Sequence, residues 1–447
     1  MLSSGVATIC PSGTRRGLVA RGALIAGAAA GAGVLGAACG APASPAGDSP
    51  GAASAGPYKV IFGNDFAAGE RLEYTTRVVE EFSKVNGPKL TAESVIIATR
   101  DALFAALAAG TGPDTTQTSG SWFSDFAEKG NLQDITAFVK RDKVDLNRWF
   151  LQEETFVRKG KQYGMPFWQA HAVYLYNKSL FQKSGVPLPD NENWAWTQLL
   201  DAAVKLTKPG ETYGLQMSFG FEFAWLNYLR SAGEDYVNKE RTKTTLNTPG
   251  AVETMQWLVD LVLKHKVHPA VGDTTSLGAG NWWNLGKIGI RQGGTGTLGT
   301  TLTAKPDFEW DMFVTPKAPK TGKRAITANE NPMVVTNNTK NPEAAYRFVA
   351  YQADKYSQDL VGRFRINMPS LKQSAADPAG WLSTPPPMMK LSLEQMKHAG
   401  TLSFHLNWAQ WYAEITNQLL PAFRGEMSVK EACDKATQVG DSLLRGA

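Results

Sequence analysis

The sequence predicts an α/β protein, on three observations. From Tyr58 onward, short runs of strand formers alternate with segments of helical periodicity. Each such run is followed by a helix before the next, an order that implies parallel pairing and gathers ligands at the carboxyl ends of the strands. The 447 residues, 43% hydrophobic and 19% charged, describe a globular chain that can fill two cores more naturally than one.

The elements follow in order. Tyr58 to Phe62 is a short apolar run, and Arg71 to Asn86 carries Leu72, Val78, Val79, Phe82 and Val85 at helical spacing. Leu90 to Ile97 reads as a strand, and Asp101 to Ala109 as a helix closed by Gly110. The stretch Gly160 to Thr207 is the most informative. A turn-like GKQYG and a Pro-containing MPFW lead into the strand formers Ala172 to Tyr176. Asn177 and Lys178 interrupt the run, a short helical SLFQKSG follows, and a Pro-rich loop ends at Trp196 and Thr197. Thr197 is the expected N-cap of a helix whose Leu199, Leu200, Ala203, Val204 and Leu206 form a core-facing stripe.

The N-terminus reads as an address. Arg15 and Arg16, then the Ala/Gly/Leu-rich run Ala23 to Ala38 and Cys39, give a charged segment, an apolar segment and a cleavage site. The paired arginines resemble a twin-arginine export signal, with a general secretory signal as the alternative. Leu35 to Cys39 resembles a bacterial lipobox, although Leu35 stands four residues before the cysteine rather than three. Residues 1–38 are therefore expected to be an export signal, Cys39 a lipid attachment site, and 39–56, rich in Ala, Gly, Pro and Ser, a flexible tether.

The formal charge of +5 falls to +2 once residues 1–38 are removed, too balanced for a nucleic-acid footprint. Of the three cysteines, Cys10 leaves with the signal and Cys433 is alone on a helical pattern, so the folded body has no disulfide to form and a buried, unreactive Cys433 is expected.

The Gly160 to Thr207 stretch resembles the middle segment of the family 1 extracellular solute-binding proteins of ABC importers. It follows their pattern of YG-x-P, an apolar strand, YNK-x-LF, a Pro-rich loop and W-T-x-x-x-L-x-x-A. Ala108 to Asp114, Gly130 to Thr136, Thr248 to Pro269, Lys287 to Arg291, Asn341 to Ala345 and Gly425 to Leu444 resemble further motifs of that family, in the same order. The resemblance implies a two-lobed periplasmic-binding-protein-like fold of type II, with a ligand cleft between lobes joined by hinge crossings. Residues 57–170 and 286–330 are expected to form one lobe, and 171–285 and 331–447 the other. It also implies an exported monomer, periplasmic or held at the outer face of the cytoplasmic membrane by its lipid, that delivers a carbohydrate to a permease. No cofactor, metal or turnover is implied. A polyol phosphate or other anion is the alternative ligand, and a secreted glycan-processing enzyme the alternative class.

The residues offer no catalytic constellation. There is no G-x-S-x-G, H-E-x-x-H or Walker loop, and His265 and His268 lack a third partner as metal ligands, so surface or capping roles are expected of them. Gly293 to Gly296 is glycine-rich, but is read as lacking the strand-to-helix context and the lysine of a phosphate cradle, so a nucleotide site is not expected. A glycosidase would need two ordered carboxylates, and nothing orders a pair.

A sugar binder needs flat aromatic faces and polar groups for the hydroxyls, and both occur at predicted strand ends. Asn64 and Asp65 end the first strand, where turn and N-cap chemistry is the competing explanation. Ser119, Ser121 and Trp122 resemble a ligand loop, with capping as the alternative for Ser121. Trp168 and His171 lie at the expected lobe crossing. Glu222 and Trp225 are candidates in the second lobe, although an amphipathic helix start explains them equally. Trp282 and Trp283 cannot share one helical face, so at most one belongs to a core. Gly294 and Thr295 stand where many relatives carry a stacking Trp. Asn329, and Arg365 ahead of a segment that resembles the family's ligand loop, complete the candidates. Trp408 and Trp411, three apart, are read as core.

Overall fold

The computed structural model describes residues 56–150, 156–219, 222–271, 282–383, 386, 389–401 and 408–445, without the side chains of Ser121, Glu222, Phe223 and Thr401. The expected export signal, Cys39 and nearly all of the tether lie outside the described residues.

β1 (Tyr58–Asn64) leads to α1 (Gly69–Asn86), where Gly69 has a φ of +61° that glycine adopts without strain. α1 buries Tyr74, Val78 and Phe82, spaced four apart on one face. Leu72 and Val85 are exposed, so the stripe is narrower than the periodicity predicts. β2 (Leu90–Ile96), α2 (Arg100–Ala108), β3 (Thr115–Gln117) and α3 (Gly120–Glu128) follow, with β2 and β3 parallel to β1 as the alternation implies. α4 (Thr136–Arg141) and the hairpin of β4 (Val157–Arg158) and β5 (Lys161–Gln162) precede β6 (Gly164–Asn177), a strand of 14 residues.

α5 (Lys178–Lys183) is capped by Asn177, whose Oδ1 accepts from the Leu180 amide at 2.9 Å. α6 (Trp196–Leu206) starts earlier than expected. Its cap is Ala195, whose amide donates to Gln198 Oε1 at 3.1 Å, and Thr197 lies within the first turn. Leu199, Ala203 and Leu206 face the core, Val204 is exposed, and Ala202 is buried in its stead.

The remaining elements are β7 (Tyr213–Gln216), α7 (Glu222–Ser231), α8 (Pro249–Leu263), β8 (Ile288–Gly294), α9 (Gly296–Ala304), β9 (Trp310–Phe313) and β10 (Ile326–Val335). Then come α10 (Pro342–Ala353), α11 (Lys355–Arg363), β11 (Met368–Pro369), α12 (Lys372–Ala375), α13 (Lys390–Glu394), β12 (Ala399–Thr401), α14 (Trp408–Phe423) and α15 (Val429–Arg445).

Among the described residues, ten strands form one mixed sheet whose main path runs β2, β1, β3, β10, β6, β8, β7. β6 is its axis. Gly164 to His171 pairs antiparallel with β10, while Ala172 to Asn177 pairs with β8 and β9. At a rise of about 3.3 Å per residue this single strand extends over roughly 45 Å, long enough to serve two cores.

The cores divide the chain differently from the expected lobes. Val60, Phe62, Val78 and Phe82 pack with Met333, Val335, Phe348 and Val361, which places 333–361 with the first core. Ile290 and Phe313 pack with Leu215, Leu258 and Ile415 in the second. Residues 288–313 and 333–361 thus exchange their expected places, because β8 and β9 bond to the far half of β6 while Met333 to Val335 bonds to β3. The motifs identify these segments but not the strand each will join.

Trp408 and Trp411 are core residues, their rings stacked at 5.1 Å. His268 is not at the surface: its ring is buried between the Met217 backbone and the Pro269 carbonyl. Cys433 is buried, and desolvation pushes its thiol up to about 12.

Candidate functional site

The carboxyl ends of β1 and β3 bring Asn64, Asp65, Ser119 and Trp122 together. Asn64 is buried and its Oδ1 accepts from the Phe66 amide at 2.9 Å, which turns the chain sharply after β1. Asp65 is exposed and is not an N-cap, since α1 begins four residues later behind Ala68. Ser119 stands immediately before α3, and its carbonyl accepts from the amides of Trp122 and Phe123 at 2.9 and 3.0 Å. The helix-entry position thus falls to Ser119, and Ser121 lies in the first turn. A cavity of about 50 Å³ is lined by Asn64, Asp65, Thr99, Arg100, Gln117 and Trp122. Three of its lining groups present buried polar atoms without a protein partner: Asn64 Nδ2, Arg100 Nε and Gln117 Oε1. Arg100 is itself held by Asp125 at 2.5 Å.

The turn after β1 places Phe66 against the crossing. Its ring stacks on Trp168 at 5.4 Å, and the Arg71 guanidinium lies 5.1 and 5.6 Å from the two ring centres. Trp168 is only 3% exposed, so it is a core residue that borders the site rather than an open platform. Strand pleating then sorts its neighbours. Trp168 pairs with Asn331 and Ala170 with Asn329 on one face; Gln169 pairs with Glu330 and His171 with Ala328 on the other. Asn329 therefore shares the face of Trp168, and its buried Oδ1 has no protein partner. His171 points away from it. It is fully buried, and desolvation, offset in part by a backbone contact at Ser392, lowers its pKa to about 3. Such a ring is neutral and is not a ligand contact on the Trp168 face.

Across β6, Gly294 ends β8 opposite Ala172, and Thr295 joins it to α9. The Gly293 to Gly296 turn does connect strand to helix, contrary to the reading from sequence, but α9 carries no lysine that would complete a phosphate cradle. Thr295 is buried: its amide donates to the His171 carbonyl and its hydroxyl to Asn367 Oδ1. A second cavity, of about 410 Å³, lies between α1 and α9 and is lined by Glu70, Arg71, Gly296, Gly299, Phe364 and Arg365. A Cβ on Gly299 would come within 2.9 Å of the Arg365 carbonyl, so glycine permits this approach. Arg365 holds a left-handed φ of +54°, which costs a non-glycine residue about 1 kcal/mol.

Other candidates stand elsewhere. Trp225 is buried and its Nε1 donates to the Tyr412 hydroxyl at 3.1 Å, the two rings nearly parallel. Glu222 opens α7, but its side chain lies outside the described residues. Trp282 rests on Tyr213 and Trp283 on Phe308. Tyr213 pairs with Ile288 at the amino ends of the parallel pair β7 and β8, so both indoles lie at the end opposite Gly294. Trp283 is core and Trp282 is half-buried beside it; neither joins the site. Sequence reasoning missed Phe66, Arg71, Arg100 and Gln117, although Phe66 occupies a turn where the resembled family often has an aromatic.

The family model of bacterial extracellular solute-binding proteins matches residues 68–358. The chain belongs to that family. A Brucella abortus protein named as a binding protein is 24% identical to this solute-binding protein over 270 residues, 58% of this chain and 62% of its own length. The chain thus spans somewhat under two thirds of the first curated relatives it matches. An arabinooligosaccharide-binding protein of Halalkalibacterium halodurans is 25% identical over 207 residues, 44% of each chain. Among solved structures, an ABC substrate-binding protein of Listeria monocytogenes in complex with cycloalternan has a TM-score of 0.76 and 23% identity, covering 86% of this chain and 98% of that one. A cyclic alpha-maltosyl-1,6-maltose binding protein of Arthrobacter globiformis has a TM-score of 0.75 and 22% identity, covering 88% and 100%. These likenesses establish the two-lobed α/β fold. Among the described residues, no helix is long and apolar enough to cross a membrane.

Proposed function

We propose that this solute-binding protein captures a carbohydrate in the cleft at the carboxyl ends of β1 and β3, closes its lobes around it and delivers it to the permease of an ABC importer. The observation that carries this reading is the set of partnerless polar atoms on Asn64, Arg100 and Gln117 beside the half-buried Trp122. Buried donors and acceptors left unpaired are costly, and sugar hydroxyls would satisfy them while the indole covers a C–H face of the ring. The relatives named for arabinooligosaccharide and cyclic maltose-containing ligands support the substrate class. A ligand that contacts both lobes binds the closed form better and so shifts the hinge equilibrium toward it.

Membership of an extracellular family accords with export through the segment before residue 39, and Cys39 would carry the lipid that retains the protein, as a monomer, at the outer face of the membrane. No turnover of the solute belongs to this reading. Arg71 and Arg365, both on the larger cavity, favour a phosphorylated or otherwise acidic sugar as the second reading. Calorimetry of the protein against maltotriose, arabino-oligosaccharides, cycloalternan and a sugar phosphate tests both. Saturable binding without product is expected. Release of a shorter sugar, or no heat with any member of the panel, would sink the proposal.

A further inference from the structure

Glu330 lies at the middle of β10, is fully buried, and sits where three passages of the chain meet. From β6, the Phe167 amide donates to its Oε1 at 3.0 Å and Gln169 Nε2 donates to its Oε2. From the residue after β11, the Ser370 hydroxyl donates to Oε1. β11 itself pairs with Gln169 and Trp168, so one carboxyl group joins both strands that border the indole. Three donors, two from β6 and one from the residue after β11, converging on one buried acceptor, fix its surroundings more firmly than apolar packing would.

We propose that Glu330 is a positioning residue for the cleft: its carboxyl group ties β6, β10 and the β11 segment together behind Trp168 and so sets how the crossing presents Trp168 and Asn329 to the ligand. The presentation to ligand rests on the carbohydrate reading above; the tie between strands does not.

The charge state of this group matters to the tie. An ionised carboxylate only accepts, and here it accepts three bonds. A neutral acid needs an acceptor, and Gln169 Oε1, buried and without a protein partner, supplies one if the amide of Gln169 turns over. Burial pushes the Glu330 carboxyl well above the usual carboxylate range, against the opposing pull of the Ser370 hydroxyl and the Phe167 amide. Among the described residues, the groups nearby offer no compensating cation. On β6 the titratable neighbour is His171, held neutral by burial. On α11, Gln358 contacts the Phe167 carbonyl, while Asp359 is engaged by Lys355 and Ser374. On the β11 side, Asn367 is bound to Thr295, and Lys372 reaches the Asn147 carbonyl.

The test needs no ligand, so it stands or falls apart from the carbohydrate assignment. Hydrogen exchange at the Phe167 amide is followed in the full chain for wild type, Glu330→Gln and Glu330→Ala. The fluorescence contributed by Trp168, taken as the difference from Trp168→Phe, is titrated from neutral to alkaline pH. Glu330→Ala should speed Phe167 exchange about tenfold or more, and Glu330→Gln should stay within about threefold of wild type. Wild type should show a fluorescence step that Glu330→Gln lacks. Unchanged Phe167 exchange in Glu330→Ala, or the same step in Glu330→Gln, would overturn the proposal. If Glu330→Ala does not fold, Ser370→Ala provides the exchange comparison, with a smaller acceleration expected and none counting against the tie.

Discussion

The rings of Phe66 and Trp168 stack at 5.4 Å with their planes 27° apart, joining the turn after β1 to the strand that crosses between the cores. Because Trp168 is 3% exposed, its removal costs packing first. Trp168→Ala should lower the unfolding free energy by about 3–5 kcal/mol in a urea titration, as large-to-small core changes do. A loss below about 1 kcal/mol would show that the indole is a ligand platform and little else.

Gln117 should behave in the opposite way. Its Oε1 is buried without a protein partner, so the native fold gains nothing from it. Gln117→Met keeps the length of the side chain and removes the unpaired acceptor. Stability should hold or rise by up to about 1 kcal/mol, while affinity for the bound sugar drops about tenfold. Thermal melts with and without ligand separate the two effects, and a destabilised protein with unchanged affinity would contradict the assignment.

His171 sets an acid limit. Its folded pKa of about 3 lies below the ordinary 6.5, so the unfolded chain takes up a proton that the folded chain refuses. The contribution to stability is complete above pH 6.5 and is lost as pH falls from there toward 3. His171→Leu should flatten the stability profile in that window relative to wild type, by an amount on the order of a few kcal/mol at the acid end. Some slope will remain, because burial depresses His268 in the same direction. Equal slopes in wild type and variant would refute the buried neutral ring.

Arg365 offers a separation of fold from function. Glycine relieves the left-handed φ of +54° at that position while the contacts of the arginine side chain are lost, so the stability of Arg365→Gly should stay within about 1 kcal/mol of wild type. If the guanidinium grips ligand in the larger cavity, affinity falls as melting temperature holds. Unchanged affinity for every ligand that binds wild type would remove Arg365 from the site.

Much of the first core was legible because its elements announce themselves locally: the helical period that holds Val78 and Phe82, and the alternation of strands with helices, need no knowledge of the rest of the chain, although the buried Tyr74 was not picked out. The resemblance carried the family and the two-lobed fold. Lobe membership after residue 286 was not legible, since nothing in the residues of β8 or β10 encodes which stretch of β6 each will meet. The candidate site divided along the same line. Asn64 ends a strand that could be read, and Ser119 and Trp122 lie in a loop marked by the resemblance, whereas Trp282 and Trp283 were drawn in by residue type and lie at the far end of β8. His171 was misread by one position of the pleat, and Arg100 reaches its partner Asp125 through a fold contact that no local pattern encodes.

The unbroken course of β6 couples the two halves in a way that bears on how the protein can be altered. One residue inserted or deleted near Ala170 would turn Tyr174 and Leu175 over relative to Trp168, emptying one core while leaving the other intact. Chimeras that exchange a lobe with a relative must therefore carry this strand whole.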